Sequence, residues 1–182
     1  MELAICVVCY NRKFELDRLI NCLLQIKSEV VVDLIISIDY SKDQKGVSEI
    51  VDSLVWPFGK LIIHKHEHNI GLKQHVLLCG DFSENYDGLV VLEDDLIISP
   101  YFIGYVTSAL RGTHLDEKVS GISLYGYSKN ESTKMPFTPL IDAYDTYFIQ
   151  YPSSWGFVVS RSQWKMFKEW LSIWDCDSFR DV

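Results

Sequence analysis

No apolar run in the 182-residue chain approaches the roughly 18 residues that a membrane helix needs. Basic charge is also in short supply. Seventeen Lys and Arg face twenty-five Asp and Glu, a formal net charge of −8, so the chain offers no basic face for sequence-independent nucleic-acid binding. An anionic ligand suits that balance only where a cation or a few placed basic residues neutralise it. The P-loop pattern G-x-x-x-x-G-K followed by Ser or Thr is missing, and the turn after the first strand, Tyr10-Asn11-Arg12, is not a glycine-rich phosphate loop. The five cysteines are odd in number and scattered, which argues against a disulfide framework. Cys6 and Cys9 spell C-x-x-C, but residues three apart on a strand point to opposite faces, and no second pair completes a zinc site. Core cysteines are expected. No internal repeat, low-complexity tract or linker breaks the chain, so residues 1–182 read as one domain. The start shows no charged leader with an apolar signal core; the expected location is cytoplasmic. The segment stops at Val182 just after a polar stretch, and truncation there would leave some ligand contacts beyond it.

What is present is an alternation of strands and helices. Residues 3–10 form a continuous apolar strand, and Leu16, Leu19, Ile20, Leu23 and Leu24 follow at helical spacing. Further strands are expected at 30–38, 60–64, 89–92, 119–124 and 155–159, with helices around 47–54, 72–84 and 100–111, the last stopped by Gly112. Ser160 and Gln163 form a capping box for a final helix, whose buried stripe is read as Trp164, Phe167, Leu171 and Trp174. Residues 125–141 make a long polar loop, of a length usually functional or mobile. The aromatics Tyr144, Tyr147, Phe148, Tyr151, Trp155 and Trp164 are expected mostly in the core, with one or two near Trp155-Gly156 free to stack on a sugar. This alternation implies a doubly wound α/β domain.

The stretch 88–100 organises the rest. An apolar strand bounded by Gly88 runs into Glu93-Asp94-Asp95, and Ser99-Pro100 looks like a helix start. Acids at the carboxyl end of a central strand sit where open α/β sheets bind ligands. Two carboxylates about 4 Å apart repel by roughly 4 kcal/mol at an effective dielectric of 20. A hard divalent cation completed by a phosphate-bearing ligand would relieve that repulsion. A solvated acidic turn ahead of a helix dipole is the competing reading.

Under this topology Tyr10-Asn11-Arg12, Asp39, Asn69-Ile70-Gly71 and the acids fall at the carboxyl ends of successive strands and converge on one edge. Arg12 can fork onto a phosphate, Asp39 can accept from a base N–H, and Gly71 allows a ligand near the backbone. Lys73 can reach a phosphate or stand exposed at its helix start. His64, His66 and His68 alternate, so on a strand they would share a face. They read as a polar strand end or a transition-metal site, with His68 bordering the pocket.

The residues Val7 to Arg12, Ile36-Ser37-Ile38-Asp39, Asn69-Ile70-Gly71-Leu72 and Leu92-Glu93-Asp94-Asp95 resemble the nucleotide-sugar-binding half of GT-A-fold glycosyltransferases. The acidic triplet with Leu96 and Pro100-Tyr101-Phe102, then Trp155-Gly156 and the segment from Trp174 to Arg180, is similar to the inverting mannoside N-acetylglucosaminyltransferases and to a bacterial family two-like group. The resemblance implies a GT-A, mixed and mostly parallel, sheet flanked by helices. It implies that Tyr10, Asn11, Arg12, Asp39, Asn69, Gly71, Lys73, Glu93 and Asp94 surround a UDP-sugar. Asp39 would hold the uracil ring, Arg12 the diphosphate or base region, and Glu93 and Asp94 the sugar and ribose. Asp95 would bind Mn2+ or Mg2+ through the diphosphate, and Trp155 and Gly156 would border the acceptor. An acid of the last segment would be the general base. An extra residue separates the two acids there; Asp177 precedes the matching Ser-Phe-Arg and is preferred, and Asp175 stays open.

The chemistry is consistent with that implication. Cleaving an anomeric bond leaves charge on a diphosphate, which a metal stabilises as a Lewis acid, and inversion needs one base near the attacking hydroxyl. The expected activity is transfer from a UDP-sugar to a glycan or lipid-linked sugar acceptor, in surface polysaccharide or lipopolysaccharide synthesis. A sugar-phosphate nucleotidyltransferase and a non-catalytic nucleotide- or sugar-binding module are the rivals.

Overall fold

The computed structural model describes residues 1–113, 118–130, 132–144, 146–151 and 153–174. Among these residues six strands are formed: β1 (Leu3–Cys9), β2 (Val32–Ile38), β3 (Leu61–Lys65), β4 (Gly88–Glu93), β5 (Ile122–Ser123) and β6 (Phe157–Val159). They assemble in the order β3-β2-β1-β4-β6-β5. β1 pairs in parallel with β2 and β4, and β2 with β3, whereas β6 runs antiparallel to both β4 and β5. The sheet is thus mixed and mostly parallel. Every residue of β1 is buried, as a central strand with both faces covered requires. β3 lies at the edge and is largely exposed.

Among the described residues five helices cover the sheet: α1 (Lys13–Leu23), α2 (Lys45–Ser53), α3 (Leu72–Asp81), α4 (Phe102–Thr113) and α5 (Arg161–Trp174), with a 3-10 turn at Phe82–Asn85. Leu16, Leu19, Ile20 and Leu23 put one stripe of α1 against one face, alongside Val47 and Val51 of α2 and Phe102, Ile103 and Val106 of α4. Burying each of these side chains contributes about 1.5–3 kcal/mol. On the other face Cys79 of α3 and Trp164 of α5 pack against Ala4, Cys6, Val8 and Ile35. Cys9 belongs to the first cluster and Cys6 to the second, so the C-x-x-C pair is split between two cores. The capping box forms: Ser160 N–H donates to Gln163 Oε1 (2.9 Å) and Gln163 N–H to Ser160 Oγ (3.3 Å).

Other expectations are corrected. Of the stripe expected on α5 only Trp164 is buried, while Trp174 is 60% exposed, because Trp164 alone of that stripe packs into the second hydrophobic cluster. Leu24 falls just past α1 and is exposed. Gly112 lies inside α4 rather than ending it. The strand expected at 119–124 contracts to Ile122–Ser123. The aromatics Tyr144, Tyr147, Phe148, Tyr151 and Trp155 are exposed rather than core. The segment carrying them stands outside both clusters, so aromatic content alone did not bury it.

Candidate functional site

Parallel pairing fixes one rim. Val8 lies opposite Glu93 and Cys9 opposite Ile38, so Tyr10-Asn11-Arg12, Asp39 and Asp94-Asp95 emerge side by side from the carboxyl ends of β1, β2 and β4. Asp39 N–H donates to Cys9 C=O at 2.9 Å, extending the ladder one step past the strands. β6 enters antiparallel at the other side of β4, which places Trp155 and Gly156 at the same end of the sheet. Gly156 adopts φ +81°; a Cβ there would also lie 3.3 Å from Leu92.

Asp94 is the buried member of the triplet, 1% exposed. Its Oδ2 accepts from Tyr10 N–H at 3.2 Å. Its Oδ1 lies 2.8 Å from Arg12 Nη2, off the N–H direction, so the contact is an ion pair and this buried oxygen has no hydrogen bond. Arg12 Nη1 meets Asp95 Oδ2, and Arg18 Nη2 donates to Asp95 C=O at 2.7 Å. The guanidinium therefore supplies inside the chain the positive charge that the crowded acids need. At 2.8 Å its gross attraction for Asp94 is about 6 kcal/mol at an effective dielectric of 20, enough to offset repulsion between neighbouring carboxylates.

Burial still raises the Asp94 carboxyl above its ordinary range, against the pull of Tyr10 N–H and Arg12. Glu93, half-buried, is raised by burial and then by Asp95. Burial lowers Arg12, but the fields of Asp94 and Asp95 outweigh it and hold the guanidinium above its usual value. Cys9 lies against Asp94 with its thiol raised, first by burial and then by that carboxylate.

Asp39 is 3% exposed and works as a clamp. Its Oδ1 accepts from Tyr40 N–H (2.8 Å) and Ile70 N–H (3.0 Å), and its Oδ2 from Gly71 N–H (3.1 Å). Two of these charge-assisted bonds, from Ile70 and Gly71, tie the end of β2 to the loop after β3. Gly71 turns into α3 at φ +80°, a conformation that glycine adopts without the Cβ clash of other residues. Asn69 Nδ2 donates to Tyr40 C=O at 3.1 Å, pinning the same loop. Asn11 and Lys73 are exposed at the rim and on the first turn of α3. Asp175 and Asp177 lie outside the described residues.

Several neighbours escaped sequence reading. Gln44 Nε2 donates to the Asp39 carbonyl, and Arg18 and Cys9 support the acids. No spacing rule points to them, because each acts across the rim. The histidines regroup: His64 and His66 do share a face, with ring centroids 4.8 Å apart, but their third member is His75 of α3, 5.1 Å from His66, and not His68. Ser37 Oγ lies 2.8 Å from His75 Nε2 and 3.4 Å from His66 Nε2. Among the described residues no three His, Cys, Asp or Glu side chains form a preformed metal cage, and no helix is long and apolar enough to cross a membrane.

A parallel sheet reversed by one strand beyond β4, helices on both faces and an acidic rim after the fourth strand define a GT-A-like α/β fold. Solved structures share it at a distance. Staphylococcus aureus TarS 1–349 in complex with UDP matches at 17% identity and a TM-score of 0.51, over 63% of this chain and 33% of that one. The same TarS fragment in complex with UDP-GlcNAc matches at 17% identity and 0.50, over 63% and 32%, and a longer TarS chain at 17% and 0.50, over 63% and 20%. The chain thus spans at most about a third of these relatives. No family model matches the sequence, and no curated protein does.

Proposed function

We propose that the chain is the donor-binding part of a metal-dependent, inverting glycosyltransferase that takes its sugar from a UDP-sugar. One observation carries the reading: in a GT-A-like sheet, the Asp39-clamped loop and the Arg12-bridged Asp94 and Asp95 meet at a single strand rim. Crystal forms of TarS hold UDP and UDP-GlcNAc, which supports a uridine-diphosphate donor here.

A divalent cation fits the donor set. Asp95 is a hard carboxylate 38% exposed on its side chain, Asp94 Oδ1 is a buried oxygen without a hydrogen bond, and Mg2+-type ions are commonly held by one or two carboxylates plus substrate phosphates. Asp95 would hold Mn2+ or Mg2+ together with the donor diphosphate, and the ion would stabilise the negative charge left on that leaving group. The chain's own residues do the rest. The Asp39 clamp holds loop 69–71 in place against the nucleotide, and the remaining lone pair on its Oδ2 is the acceptor for a uracil N–H. Arg12 bridges Asp94 and Asp95 and stands at the rim as a cation for the phosphates. Asp94 and Glu93 orient the sugar and ribose hydroxyls. Asp177, or Asp175, takes the proton of the attacking hydroxyl. The acceptor is a glycan or lipid-linked sugar passing Trp155 and Gly156, in the synthesis of a surface polysaccharide or lipopolysaccharide.

Calorimetric titration of UDP with and without Mn2+ is the test. Binding is expected to tighten with Mn2+ in the wild-type chain and to lose that dependence in Asp95→Ala. Absence of UDP binding, or binding indifferent to both changes, would remove the reading and favour a non-catalytic module. Asp177→Asn should abolish sugar transfer with UDP affinity retained; unchanged turnover would move the base to Asp175.

A further inference from the structure

The excursion between β5 and β6 leaves from and returns to the acidic rim. Leu124 N–H donates to Gly156 C=O at 2.9 Å, closing its neck directly beside Trp155. The excursion is not random coil. Lys129 bridges Pro136 in antiparallel fashion, Asn130 N–H donates to Met135 C=O (2.9 Å), and Phe137 N–H to Ser128 C=O (3.0 Å). Asn130 Oδ1 accepts from Ser132 and Thr133 N–H, both at 3.0 Å. A ladder of rings in edge-to-face contact then runs outward from the neck. The centroids of Trp155 and Tyr125 are 4.7 Å apart, those of Tyr125 and Tyr127 5.2 Å, and those of Tyr127 and Tyr151 5.4 Å.

At the outer end of the ladder is a cavity of about 170 Å3, lined by the aromatic residues Tyr127, Phe137 and Tyr151, by Ile149, and by Lys129, Asn130 and Ser132. Trp155 and Tyr151 are half exposed, 49% and 51%, and both hydrophobic clusters close without them. These two rings face solvent beside polar groups, the character of a contact surface.

We propose that this cavity is a saccharide subsite, which holds one sugar unit of an extended acceptor while a neighbouring unit reaches the rim past Trp155. The assignment to the acceptor rests on the glycosyltransferase reading; saccharide binding itself does not. The lining selects the ligand class. A pyranose presents apolar C–H faces to rings and hydroxyls to an ammonium, an amide and a serine. A lipid tail would desolvate the exposed Lys129 ammonium without offering it a hydrogen bond, and a nucleic acid meets a chain of net charge −8. The volume is well below the range of about 300–1,000 Å3 typical of drug-sized ligands, which suits a single ring.

Saturation-transfer NMR on the full chain tests the idea, with cellotetraose, maltotetraose and tetraacetylchitotetraose as probes and phosphatidylglycerol vesicles as the lipid comparison. At least one tetrasaccharide is expected to bind, and Tyr127→Ala or Tyr151→Ala should weaken it about tenfold, the loss of one aromatic anchor. Lys129→Gln, at an exposed position that leaves the fold alone, should weaken it several-fold, whereas Leu140→Ser, outside the cavity, should change nothing. The inference is overturned when none of the three saccharides binds, when binding survives all three cavity substitutions in variants whose circular dichroism is native, or when only vesicles bind. UDP titrated in parallel against the wild-type chain separates the two readings. Saccharide binding without UDP binding removes the donor site and keeps the subsite; the reverse removes the subsite alone.

Discussion

Replacing Arg12 with Ala isolates the charge arrangement at the rim. The guanidinium lies 2.8 Å from Asp94 Oδ1 and contacts Asp95; its own side chain is 44% exposed and that of Asp94 1%. An exposed ion pair contributes less than about 1 kcal/mol, and breaking a fully buried one costs about 3–5 kcal/mol. This pair is half of each kind, so Arg12→Ala should destabilise the chain by about 2 kcal/mol near neutral pH. A double-mutant cycle with Asp94→Asn should return a coupling of about 1 kcal/mol or more, measured by urea unfolding.

The pH dependence supplies an independent check. Asp94 and Glu93 are raised by burial in the folded chain. Groups raised in this way contribute stability that is fully present below the unfolded carboxylate pKa of about 4, and that is lost as the pH rises through their folded values. Without Arg12 the Asp94 carboxyl rises further, so the deficit of Arg12→Ala should be largest near pH 7 and shrink toward about pH 4. A variant within about 0.5 kcal/mol of wild type at neutral pH, or a deficit that grows on acidification, would refute the reasoning that Arg12 neutralises the acids.

Gly80→Ala should destabilise by about 1–3 kcal/mol, although alanine is the better helix former. Its Cβ would fall 2.0 Å from Trp164 Cζ2, and moving that ring breaks the 2.8 Å bond from Trp164 Nε1 to Asp81 Oδ1. A lower Tm with altered tryptophan emission is expected, and an unchanged or higher Tm would contradict the packing. His66→Gln should flatten the acid sensitivity of the fold. His66 is held below its ordinary range by burial, then by His75 and His64, with Asp39 and Cys79 pulling the other way, and Asp81 lines the cavity beside it. A depressed imidazole contributes stability that is present above about pH 6.5 and lost as the pH falls through its folded value. Tm measured from neutral pH down through that window should fall less steeply in the variant; identical slopes would show that the imidazole cluster does not carry the effect.

Sequence alone determined the order of elements and where the acids stand. Seven consecutive buried residues in β1, the 3.6-residue stripe of α1 and the reciprocal Ser160–Gln163 cap are local patterns, and local patterns report face and boundary because they depend on neighbours within one or two turns. Parallel connection through helices then brings the carboxyl ends of β1, β2 and β4 to one edge, so Asp39, Arg12 and Asp94 could be named together from the chain. What each does there was decided only by tertiary structure. Arg12 and Asp94 are separated by 82 positions and Asp39 and Gly71 by 32, and nothing local says that one forms an ion pair and the other a clamp on the backbone. His75 joined His64 and His66 by the same kind of contact, across the gap between β3 and α3, while alternation along the strand pointed to His68. The ladder from Trp155 to Tyr151 marks the same boundary: aromatic content states how much surface a side chain could bury, and only the tertiary structure placed those rings outside both hydrophobic clusters.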